Sequence, residues 1–148
     1  MADTKVFEKI LRMKDRERKA AQQAFTEKQE HFEKAATNLY ELLKKKEDAE
    51  ALLANGLAAS LPIQRLSEHH AFLETINRQI DRAQIAVQFA RTAMLEKQEL
   101  LSEAYIEVKK IDKLLEKKRQ EAWRKLQEEE NKQMDELSIR QFLANGAR

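Results

Sequence analysis

The stretch LSEHHAFLETINRQIDRAQIAVQFARTAMLEKQELLSEAYIEVKKIDKLLEKKRQEA, Leu66 to Ala122, decides the fold. Alternating steps of three and four residues pick out Leu66, His69, Leu73, Ile76, Ile80, Ala83, Val87, Ala90, Met94, Lys97, Leu101, Ala104, Val108, Ile111, Leu115, Lys118 and Ala122. Only His69, Lys97 and Lys118 interrupt this apolar series, and no proline or glycine breaks it. A mean spacing of 3.5 residues keeps one seam on one side of a slightly under-wound helix, which is the signature of a coiled-coil strand. At about 1.5 Å per residue such a strand would be on the order of 85 Å long. It cannot bury its seam alone.

A second strand precedes it. From Phe7 the same steps give Leu11, Lys14, Arg18, Ala21, Phe25, Lys28, Phe32, Ala35, Leu39, Leu42, Lys46, Ala49 and Leu53. Every exception is Lys or Arg, whose methylenes can lie along a seam while the charge reaches water. Asp3 or Thr4 can cap this first helix, and Glu27, Glu30 and Lys34 allow pairing on its outer face. Between the strands lies ANGLAASLPI, residues 54 to 63. Asn55-Gly56 reads as a helix end, and Ser60 with Pro62 as the cap and first turn of the next helix. So short a linker makes the helices antiparallel neighbours. The expectation is an all-α, two-helix antiparallel coiled-coil hairpin forming a single domain over residues 1–148. Its helices span about 4–54 and 63–143, with a turn at about 55–62 and a frayed tail at 144–148.

The composition agrees. Of 148 residues 36% are charged, with two glycines, one proline and no cysteine. Turns draw on Gly, Pro, Asn and Asp, so this chain has few of them and its helices must be long. Folding symmetrically about residue 58 places Phe7 near Lys109. About 30 residues of helix two then overhang helix one, ~45 Å of rod. That overhang carries Trp123, Leu126, Met134, Leu137, Ile139, Phe142 and Leu143 out of phase with the earlier seam, past the basic run 117–119 and the acidic run 128–130.

Chemistry has little to work with. Both glycines stand alone, so there is no phosphate-binding loop, and a two-helix rod has no pocket for a nucleophile and its base. His69 and His70 adjoin Glu68, but successive helical residues point in different directions and cannot chelate one metal. We expect no enzyme activity, no cofactor, no metal and no small-molecule substrate. A net charge of +2, from 28 basic and 26 acidic residues, argues against a nucleic-acid binder. No apolar run approaches the roughly 20 residues that cross a bilayer, and Met1 to Leu11 is too charged for a secretory signal. The clusters at 44–46 and 117–119 read first as solvated faces, then as contacts for an acidic protein, and last as nucleic-acid contacts. Phe72, Ile76, Gln79 and Ala83, then Ile85 and Phe89, form a second apolar set near the turn. It means either a wider seam or a docking face for a third chain.

Four segments carry a family resemblance: Leu39-Tyr40-Glu41, Phe72, Ile106-Glu107-Val108-Lys109-Lys110, and MDELSIRQF at 134–142. With these the chain resembles the FliJ family of the bacterial flagellar type III export apparatus along nearly its full length. The resemblance implies a non-enzymatic stalk, similar to the central stalk of rotary ATPases. It would insert into the hexameric ring of the export ATPase FliI, contact the export-gate protein FlhA and escort export chaperones. It would lie in the cytoplasm, peripherally at the inner membrane of the flagellar base through its protein partners. The positions matching the gate-docking surface are Asn38, Leu42, Phe72 and Ile76. Lys45 and Ala49 stand where the family often carries aromatics. For the ATPase ring the expected contacts are Phe7, Leu11, Trp123, Leu126, Met134, Leu137 and Phe142. The alternatives are the stalk of a virulence-type secretion system or rotary ATPase, or a generic coiled-coil chaperone or scaffold.

Overall fold

The computed structural model describes residues 2–55 and 62–146. Among them the chain forms two helices packed against each other and no strand, an all-α hairpin: α1, Ala2–Ala54, and α2, Ile63–Gly146. Asn55 N–H donates to the Ala51 carbonyl at 3.0 Å and closes the last turn of α1. Pro62 acts as the N-cap of α2, because its carbonyl accepts from Arg65 and Leu66 at 3.0 and 3.2 Å. The expected roles of Gly56 and Ser60 fall outside the described residues. Toward its other end α2 continues through Ala144, Asn145 and Gly146, the first residues of the tail expected to fray. The described helices contain no stretch long and apolar enough to cross a membrane.

Contacts divide the chain into two units, Ala20–Ser102 and Met1–Lys19 with Glu103–Arg148. The first unit pairs the later part of α1 with the earlier part of α2. Its core is the seam: Ala49, Ile76, Ile80, Ala83 and Ala90 are buried. Leu39, Leu42 and Leu53 of α1 and Leu66, Leu73 and Val87 of α2 are half-buried around them. Lys46 and Lys97 keep their seam positions half-buried, whereas Lys28 is exposed. His69 holds a seam position too, and its Nε2 is buried without a hydrogen-bond partner. A buried polar atom left unpaired costs about 1–3 kcal/mol.

In the second unit Leu115 is the buried residue, only 2% exposed. Phe7, Ile10 and Leu11 of α1 and Ala104, Val108, Ile111, Lys118 and Ala122 of α2 are half-buried beside it. The charged seam residues of α1 are turned sideways onto their own helix. Arg18 Nε donates to Asp15 at 3.0 Å, and Lys14 sits 3.5 Å from Glu17. The Arg18 hydrogen bond holds the Asp15 carboxyl below its usual range, against the partial burial that raises it. A lowered carboxylate pKa stabilises the fold above its ordinary value, and that contribution is lost as pH falls through the folded-state value.

The pairing register of this unit differs from symmetric folding. Glu8 pairs with Arg119 and not with the neighbourhood of Lys109: Arg119 donates to its Oε1 at 3.2 Å. Ala2, Asp3 and Thr4 share a groove with Lys118, Glu121, Ala122, Lys125, Leu126 and Glu129. Phe7 therefore lies about ten residues further along α2 than Lys109, and the overhang begins after Glu129 and is much shorter than 30 residues. At the start of α2, Ile63 is 86% exposed and the seam begins at Leu66.

Two substitutions probe this core. Ile80→Asp is expected to collapse the helical signal in a thermal melt, because it combines a lost aliphatic side chain, about 2–5 kcal/mol, with an unpaired buried carboxylate costing several more. Lys109→Glu should cost at most about 1 kcal/mol, the value of its exposed cation–π contact with Tyr105, where the ammonium lies 4.9 Å from the ring centre. Equal melting of the two variants would contradict the seam. His69→Leu is expected to raise the melting temperature, with a gain of about 1 kcal/mol from removing the unpaired nitrogen.

Candidate partner-binding surfaces

With a core only one seam wide, most large apolar side chains of the second unit's α2 tail have nowhere to go. Past Ala122 every described residue of α2 is exposed. Trp123 is 63% exposed, Met134 71% and Phe142 76%, with Leu126, Leu137, Ile139 and Leu143 near half or above. Trp123, Glu130, Met134 and Leu137 follow spacings of seven, four and three and so share one stripe. The stripe is continuous with two open surface grooves, one around Glu116, Gln120, Trp123 and Gln127, the other around Glu130, Met134, Leu137 and Gln141. Phe7 and Leu11 differ: both are half-buried in the α1–α2 seam of this unit. They hold the base of the tail and present little free surface.

The four residues matched to gate docking also divide. In the Ala20–Ser102 unit, Asn38 is exposed and Leu42 half-buried, and both line a shallow groove with Gln79, Arg82, Ala83 and Ala86 of α2. Phe72 is 49% exposed, so the hairpin covers half of it and leaves the other half free. Ile76 is 3% exposed. It is a core residue that supports this flank from beneath, as its place in the 3.5-residue series already required. Tyr40, 66% exposed, and Leu100, 50% exposed, belong to the same unit and were not singled out for docking. Their signal was present in the sequence: each is a bulky apolar residue out of phase with its helix's seam.

No described group of three or more His, Cys, Asp or Glu residues is placed to hold a metal ion. The described surfaces are shallow and mostly apolar with charged borders, and they suit helices or extended segments of other proteins.

The fold and these surfaces define an all-α helical hairpin with exposed apolar side chains. The sequence model of the family described as Flagellar FliJ protein matches residues 4–147. The Flagellar FliJ protein of Bacillus subtilis (strain 168) is 32% identical over 140 residues, covering 95% of each chain. The chain therefore belongs to the FliJ family, a non-catalytic family of the flagellar export apparatus. No solved structure matches it.

Trp123 is the sole tryptophan and reports on the tail. Its emission in the dilute free chain is expected to be solvent-like and strongly quenched by iodide. A blue-shifted, protected emission would mean that this face is already covered.

Proposed function

We propose that this chain is a stalk and adaptor of the flagellar export machinery. The tail of α2 enters the ring of the export ATPase FliI. The flank bearing Asn38, Leu42 and Phe72 meets the export-gate protein FlhA, and the hairpin hands empty export chaperones toward that gate. It works in the cytoplasm, held at the inner membrane of the flagellar base by these partners. The observation that carries this reading is the run of exposed apolar side chains between Trp123 and Phe142 on a chain of the FliJ family. An axle in a narrow ring needs apolar contacts that can be made and released. Here each is bordered by charge, with Arg119, Arg124, Glu130 and Glu136 close by. Phe7 and Leu11 serve the ring only indirectly, by fixing α1 where the tail begins.

Two variants separate the partners. Leu137→Ser with Phe142→Ser replaces exposed side chains, so helicity should survive while stimulation of ATP hydrolysis by the cognate ATPase is lost. Adding that ATPase to the unaltered chain should shift Trp123 emission to the blue. Phe72→Ala should cost about 1 kcal/mol of fold stability, given its half burial. It should weaken binding to the gate protein by about 30-fold, the equivalent of a 2 kcal/mol interface anchor. Full ATPase stimulation by the tail variant, or unchanged gate affinity in a folded Phe72→Ala chain, would remove the corresponding part of this reading.

A further inference from the structure

The beginning of α1 carries a row of cations on its outer side. Lys5, Lys9, Arg12, Arg16 and Lys19 are spaced by four, three, four and three residues, so they share one face of the helix. All five are exposed. The half-buried seam residues of this segment, Phe7, Leu11, Lys14 and Arg18, lie on the far side. Beside the row stand Val6, 55% exposed, and Met13, 49% exposed, seven residues apart and therefore along one edge of it.

The row is not neutralised by its own surroundings. Glu8, Asp15 and Glu17 are the acids beside it, and each is held by a cation outside it. Glu8 pairs with Arg119 at 3.2 Å, Asp15 with Arg18 at 3.0 Å and Glu17 with Lys14 at 3.5 Å. Lys19 shares Asp15, at 3.5 Å. Lys5, Lys9, Arg12 and Arg16 have no ion-pair partner within 4.0 Å among the described residues. Asp3 falls on the opposite side of the helix. Four free cations and two bare apolar side chains are thus set along 14 residue steps, about 21 Å of helix.

We propose that this face of α1 rests on an anionic lipid surface. The helix lies parallel to it, with the cations among the headgroups and Val6 and Met13 entering the acyl boundary. A straight row on a convex helix meets a flat sheet of charge at every position at once, whereas a nucleic-acid duplex curves away from it. Lipid headgroups also move to meet flexible lysine and arginine stems, while a folded acidic protein must present its carboxylates at matching fixed spacings. Val6 and Met13 gain nothing from phosphates alone, and an acyl layer gives them a place. Charge supplies most of the attraction, because two modest apolar side chains anchor weakly, so the contact is reversible and sensitive to salt. It uses none of the residues given above to protein partners.

Flotation of the full-length chain with vesicles of equal parts phosphatidylcholine and phosphatidylglycerol tests this. The chain should float with these vesicles at low salt and not with phosphatidylcholine alone, and binding should fall as salt is raised. Lys9→Gln with Arg12→Gln should weaken binding at least tenfold, since each basic residue at an anionic surface is worth roughly fivefold. Removing the same charge elsewhere, in Lys44→Gln with Lys45→Gln, should leave it nearly unchanged. Val6→Ser with Met13→Ser should weaken binding to the vesicles and leave binding to soluble polyglutamate or single-stranded RNA as it was. Helicity should be unchanged in all three variants, because every substituted side chain is exposed. No flotation with the mixed vesicles, equal binding with and without phosphatidylglycerol, or equal losses in the two glutamine pairs overturns the proposal. So does tighter binding through Lys9 and Arg12 to polyglutamate or RNA than to vesicles, which would give the row to an acidic protein or to nucleic acid.

Discussion

Everything in this molecule depends on a core one seam wide. Two helices in contact bury side chains only where their facing ridges meet, so each turn contributes about one residue to the interior. Ile76, Ile80, Ala83 and Ala90 in one unit and Leu115 in the other use that allowance. Any further apolar side chain must stay in water or wait for another protein. In a thicker fold Phe89 or Met134 would be absorbed by a second layer. Here the exposed apolar surface follows from the architecture, and its location carries the functional information.

The same narrowness explains how cations can sit in the seam. A seam position is never far from solvent, so Lys46, Lys97 and Lys118 need only a few methylenes to bring charge to the edge. Carboxylates one turn away then hold several of these charges in place. Asp15 does so for Arg18, Glu17 for Lys14, and Glu121, at 3.9 Å, for Lys118. Such exposed pairs contribute little energy each. Their role is positional, since they keep the charged heads off the seam while the stems complete it. His69 is the exception, because a flat ring with a nitrogen at its tip has no stem to extend, and its Nε2 stays unpaired in the interior.

The seam of α2 was legible in the sequence from Leu66 to Ala122, and each of those positions is buried or half-buried. That follows from physics: a helix of 3.6 residues per turn, slightly under-wound against a partner, brings one seam round every 3.5 residues, and the spacing of apolar residues records it. On α1 the same rule places Lys28 in the seam, but the residue is exposed, and periodicity alone cannot distinguish a lysine lying along a seam from one leaving it. Which layer of α1 meets which layer of α2 was less legible. Layers of Leu, Ile and Ala repeat, so sliding one helix by a heptad changes little in the pattern. The register is read only from the paired helices, where Glu8 meets Arg119. The docking residues suffered from the opposite problem. Ile76 was assigned to a surface by resemblance, although its phase had already committed it to the core, and where the two disagree the phase prevails.

Phase also separates the faces that remain. On α2, Phe72 stands immediately before seam residue Leu73, so its ring is held at the edge of the hairpin and half covered. Ile85 and Phe89 stand away from the seam, 55% and 74% exposed. Trp123, Met134 and Leu137 stand where α1 is running out. These are three different physical situations on one helix: an edge half covered by the hairpin, an outer face turned away from the seam, and an end that α1 leaves bare. The helix period alone sets these differences, since each residue's angular distance from the seam fixes how much of it the other helix can cover.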